Sequence, residues 1–106
     1  MNIDIDSLLR LAVAKNASDL HLSVHRYPTL RIRGELHPLA ELGAVTPEHL
    51  KNVVALVMDK SQQETFYHKK ELDFAYSLSG VSRFRVNAYY QRGTIALAFR
   101  VLPYQI

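Results

Sequence analysis

Two runs, Val81 to Tyr90 and Thr94 to Leu102, repeat with a period of two on either side of a single Arg92-Gly93 step. That is the side-chain period of a β-strand, and a glycine-bearing two-residue step between such runs reads as a tight hairpin turn. With Gln91 opposite Thr94, Phe84 faces Val101, Val86 faces Phe99, Ala88 faces Leu97 and Tyr90 faces Ile95. Every one of these pairs is apolar or aromatic, and a slip by one residue would turn them all toward water, so the register is tightly specified. The opposite face carries Arg83, Arg85 and Asn87 on one strand and Ala96, Ala98 and Arg100 on the other, with Arg85 directly across from Arg100.

Like charges opposed across a sheet repel, so two guanidinium groups side by side need a reason. One reason is an anion, because planar guanidinium groups fork onto phosphate or carboxylate oxygens. The other is structural: a nearby acidic residue such as Asp73, or plain solvation of an exposed face. Spacing leaves both open.

The rest of the chain supplies what this hairpin packs against. Ile5, Leu8, Leu9 and Ala12 share one helical face, with Asp4 or Asp6 as the cap of a helix running to about Lys15. Asp19 to Ser23 alternates like a strand, and so does Thr29 to Arg33, before a turn at Gly34-Glu35 into a short strand around Leu36. Thr46-Pro47 opens a second helix with Leu50, Val53, Val54 and Val57 inward, ending near Met58. Ser61 with Glu64 predicts the capping box of a third helix that ends near Lys70. Leu72 to Tyr76 is the strand before the hairpin, with a turn at Ser79-Gly80. The pattern is α+β: about three helices and a mainly antiparallel sheet of about six strands, in one domain over residues 1–106.

Composition narrows the function. Apolar residues at 48% and charged residues at 22% describe a globular chain, and a formal charge of +3 is too small an excess for a nucleic-acid scaffold. Tyr76, Tyr89, Tyr90 and Phe84 stand beside arginines on strands, but Phe84 and Tyr90 fall on the core face, so nucleic acid is not expected as a partner. The absence of cysteine excludes disulfides, a thiolate nucleophile and Cys-bound metal, and the five histidines are not read as a metal site. Asp19 and His21 share a strand face next to Ser18, which is better read as a polar pair tying helix to strand than as a catalytic triad. No glycine is followed by lysine, so these residues contain no phosphate-cradling P-loop. The longest apolar run, Val53 to Met58, is too short to span a bilayer, and Asp4 and Asp6 stand where a signal peptide would be basic. The expectation is a cytoplasmic domain with no membrane insertion.

Several segments in order carry a family resemblance: Leu8 to Val13, Ala17 to Leu22, Pro28 to Leu36, Thr46-Pro47-Glu48, Glu71 to Tyr76, Ser82 to Asn87, Gln91-Arg92-Gly93 and Phe99 to Pro103. Together the chain resembles the amino-terminal domain of the type IV pilus retraction ATPases, the PilT family of secretion motors. The resemblance implies a PAS-like domain joined to a RecA-like motor domain that carries the P-loop and is absent from these residues. It also implies a homohexamer in which this domain meets the motor domains of its own and neighbouring subunits, at the inner face of the cytoplasmic membrane beside the pilus machinery. ATP with Mg²⁺ would be the cofactor of the whole motor, with none held tightly by this part and no hydrolysis by it alone. Arg85 and Arg100 match two arginines fifteen residues apart that reach the terminal phosphate in related secretion ATPases, which makes them the expected γ-phosphate contacts. The other reading is a free-standing PAS-like module that offers the same sheet face to a small ligand or partner.

Overall fold

A computed structural model describes residues 4–103. Asp4 caps α1 (Ile5–Ala14), its carboxylate accepting from the Ser7 amide, so the outer of the two candidate aspartates is the cap. Three strands follow, β1 (Asp19–Ser23), β2 (Thr29–Ile32) and β3 (Glu35–Pro38), and then a short 3-10 turn at Ala40–Leu42 that the alternation did not foretell. The β2–β3 turn is Arg33-Gly34, both with positive φ, one residue earlier than the sequence suggests, because Ile32 already pairs with Glu35.

Thr46 caps α2 (Pro47–Val57), with Pro47 in the first turn where its missing amide costs no bond. The third helix, α3 (Lys60–Lys69), is capped by Asp59 and Gln62 rather than by Ser61 and Glu64. Helix α2 ends at Val57, its cap residue Met58 is buried, and the next polar residue that can receive amide bonds is Asp59. Two overlapping capping boxes thus competed, and the one nearer the preceding helix prevails. Lys70 ends α3 in the left-handed conformation and the chain enters β4 (Glu71–Leu78) without a loop. The last two strands are β5 (Ser82–Gln91) and β6 (Thr94–Leu102), joined by Arg92-Gly93, both again at positive φ.

All neighbouring strands are antiparallel, in the order β3-β2-β1-β6-β5-β4. The predicted α+β architecture is what the structure shows. The hairpin register is also as read: Phe84 opposite Val101, Val86 opposite Phe99, Ala88 opposite Leu97, Tyr90 opposite Ile95 and Arg85 opposite Arg100. The helices bury their apolar faces in a single core with Leu20, Leu22, Leu30, Phe84, Val86, Leu97 and Phe99. At its edges, Tyr90 stacks on Phe66 with ring centroids 5.4 Å apart, and the Tyr76 hydroxyl donates to Asp6 at 2.8 Å, tying β4 to α1. Alternation then sends Asp19, His21, Arg31, Arg85, Asn87, Ala98 and Arg100 to the other, open face of the sheet.

Candidate functional site

The open face takes its chemistry from one row of residues across the middle strands. Pairing puts Arg31 on β2 opposite Asp19 on β1, Asp19 opposite Arg100 on β6, and Arg100 opposite Arg85 on β5. The sequence paired Arg85 with Arg100. It did not place Asp19 and Arg31 in the same row, because β1 and β6 are far apart in the chain and nothing local signals their pairing.

The four side chains are not equivalent. Asp19 is nearly buried, its side chain 12% exposed, whereas the Arg100 side chain beside it is 72% exposed. Asp19 Oδ2 accepts from Ser18 Oγ at 2.7 Å, and Oδ1 lies 3.4 Å from Arg100 Nε. Arg31 turns away, its Nη1 donating to the Gly34 carbonyl at 3.3 Å. Arg85 is exposed and forms no hydrogen bond or ion pair among the described residues. The acidic neighbour of the arginine pair is therefore Asp19. Asp73 sits one row away on β4 and accepts instead from the Asn87 amide at 3.0 Å.

The Asp19–His21 reading divides. Asp19 does help to tie the helix-to-strand junction through Ser18, whose amide also donates to the Arg31 carbonyl at 2.8 Å while its carbonyl accepts from Val101 at 2.9 Å. His21 takes no part: its Nε2 is buried without a hydrogen-bond partner among the described residues. His21 and His25 lie four apart, but on a strand and the turn after it, and no group of three or more His, Asp or Glu that could hold a metal ion occurs among the described residues.

Chemically, the row offers three guanidinium groups against one carboxylate. Arg100 is held through Nε alone, which leaves its two terminal nitrogens without a partner among the described residues. Beside it stands Arg85, exposed and without a partner among the described residues. Two adjacent donor forks suit an anion with several oxygens. No described helix is long and apolar enough to cross a membrane.

No protein-family model matches the chain. Among curated proteins it is 35% identical over 107 residues to the type IV pilus retraction ATPase PilT of Pseudomonas aeruginosa, a match covering 98% of this chain and 30% of that protein. It is 34% identical over 98 residues to the type IV pilus ATPase PilU of the same organism, covering 92% of this chain and 25% of the relative. The chain thus spans a quarter to a third of the length of these relatives. Among solved structures, the pilus retraction motor PilT with bound ADP superposes with a TM-score of 0.89 at 33% identity, over 99% of this chain and 31% of that one. The DotB ATPase of Legionella pneumophila superposes with a TM-score of 0.78 over 93% of this chain and 28% of that one; at 21% identity it shows the shared fold alone.

Proposed function

We propose that this chain, homologous to the amino-terminal domain of the PilT-like type IV pilus ATPases, is the nucleotide-sensing and inter-subunit domain of a motor that powers pilus retraction and twitching motility. The observation that carries the reading is the pairing of Arg85 with Arg100 on the open sheet face. Two opposed like charges cost stability there, and an anion with several oxygens offsets that cost.

In this reading the open face closes over ATP held by a RecA-like motor domain, and Arg85 and Arg100 meet the γ-phosphate. Their work is electrostatic: they sense the terminal phosphate and stabilise the charge that develops on its oxygens during transfer. The exposed forks fit a phosphate, and the cationic row does not fit a divalent metal, so ligands for Mg²⁺ fall to the other domain. Bound Mg²⁺ supplies further charge neutralisation on the phosphates. Hydrolysis needs a lysine-bearing phosphate loop, so it belongs to the whole motor and not to these 106 residues. The partners are the motor domains of the same and neighbouring subunits in a homohexamer, working beside the pilus machinery at the inner face of the cytoplasmic membrane.

The test is the ATPase rate of the full-length protein carrying Arg85→Gln or Arg100→Gln. Each substitution is expected to lower the rate by about ten- to a thousandfold, the scale of losing one preorganised charge-stabilising group. Full activity with normal hexamers in both variants would end the phosphate-sensing reading.

A further inference from the structure

The two arginines of the pair are held differently, and the difference comes from Asp19. This carboxylate opens β1 between β2 and β6, nearly buried, with Oδ2 fixed by the Ser18 hydroxyl at 2.7 Å. Its free oxygen, Oδ1, lies 3.4 Å from Arg100 Nε. A surface arginine samples many rotamers, and ordering it opposes any contact it makes. A nearly buried carboxylate held by the Ser18 hydroxyl removes part of that freedom in advance. Because it grips Nε, the terminal nitrogens of Arg100 stay available for a second anion. Its negative charge also screens Arg100 from Arg85, the like charge in register with it. Arg85 has no such anchor among the described residues.

The pair is not needed to hold the strands. Main-chain bonds already fasten the junction, from the Ser18 amide to the Arg31 carbonyl and from the Val101 amide to the Ser18 carbonyl. The other arginine in register with Asp19, Arg31, is turned to the Gly34 carbonyl. Asp19 thus engages one guanidinium of the two beside it, the one that faces Arg85.

We propose that Asp19 is a positioning residue that presents the Arg100 fork to the terminal phosphate of the nucleotide, with Ser18 fixing the carboxylate in turn. The proposal rests on the reading that Arg100 meets that phosphate. It makes the two arginines unequal: Arg100 is preorganised, and Arg85 is ordered only when the anion arrives.

The experiment is a double-mutant cycle in the full-length motor, read as ATP kinetics. Asp19→Asn keeps the shape and removes the charge; kcat is expected to fall about tenfold, the scale of a slightly misplaced group, while KM for ATP stays within about twofold because ground-state binding is little changed. In the Arg100→Gln background the same substitution should cost nothing further. Ser18→Ala, which removes only the fixing hydroxyl, should lower kcat in the same direction by about threefold, again with no effect once Arg100 is gone; it also serves if Asp19→Asn does not fold. In the 106-residue chain the Arg100 Nε–H resonance should exchange with water more slowly than that of Arg85, and Asp19→Asn should abolish the difference. Two results overturn the positioning role and leave the phosphate reading standing: an unchanged kcat in Asp19→Asn or Ser18→Ala where Arg100→Gln is crippled, or a loss that adds fully to that of Arg100→Gln. Equal exchange of the two arginines in the unmutated chain overturns it as well. Full activity in Arg100→Gln removes both ideas together.

Discussion

The two faces of the sheet are made by the same strands and do opposite work. On β5 and β6 the helix-backed face is Phe84, Val86, Ala88, Leu97 and Phe99, each 1% exposed or less. One residue along in each strand, Arg83, Arg85 and Arg100 stand in solvent. The first face is determined by hydrophobic burial and tolerates almost no change of volume. The second carries less packing at Arg83, Arg85 and Arg100, although Asp19 and Ala96 on it are buried, so those three exposed positions can be chosen for chemistry. Stability and function should therefore separate by the parity of residue number within a strand.

The sharpest way to break that division is to damage each face in turn. Phe99→Ala leaves a cavity under the sheet and should cost about 3–5 kcal/mol of unfolding free energy, measured by urea titration. Arg85→Gln is the converse: the unfolding free energy should change by less than about 0.5 kcal/mol, and upward if anything, because the repulsion from Arg100 is relieved. A loss above about 2 kcal/mol in Arg85→Gln would mean that the open face carries structural load and would end the separation.

The boundary between the faces can be probed with Tyr76, whose hydroxyl reaches Asp6. Burial first, and then the hydrogen bond and charge of Asp6, push the Tyr76 phenol from its ordinary 10.0 up to about 12. The folded state therefore keeps its proton where the unfolded chain has lost it. Tyr76 contributes its full stabilisation below pH 10 and loses it progressively as pH rises from 10 toward 12. Tyr76→Phe should cost about 1 kcal/mol at neutral pH and flatten this part of the stability profile. An unchanged alkaline profile would show that another group governs it. The smallest effect is expected at Arg10, exposed on α1: Arg10→Gln should stay within about 0.5 kcal/mol in the same urea titration.

How far each face was legible follows from the range of the interactions that make it. The hairpin register was readable because a two-residue turn and a period of two determine it locally, and the outcome, Arg85 against Arg100, is the one observed. The cap of α3 was misassigned because Asp59-Gln62 and Ser61-Glu64 both satisfy the same local rule, and the end of α2 decides between them. The partner of Arg100 was missed for a different reason. Asp73 is on the strand next to β5 in the chain, whereas Asp19 reaches β6 only because the first and last strands of the domain lie side by side. A non-local strand pairing leaves no periodic trace in either segment.

That same strand order has a consequence for how the molecule assembles. The sheet consists of two meanders, β1 to β3 and β4 to β6, each built from neighbours in the chain. They join at a single seam, where Asp19 meets Arg100 and Ser18 meets Val101, and closing it brings together residues about eighty positions apart. Contacts of such separation are the slow ones in folding. The row of arginines and its carboxylate straddle this seam, so neither half of the chain can display it alone. The arginine pair itself belongs to the second meander alone, but its carboxylate does not: Asp19 reaches Arg100 only through the β1–β6 pairing, so a subunit caught before that step would carry Arg85 and Arg100 without the acidic neighbour that sets them apart.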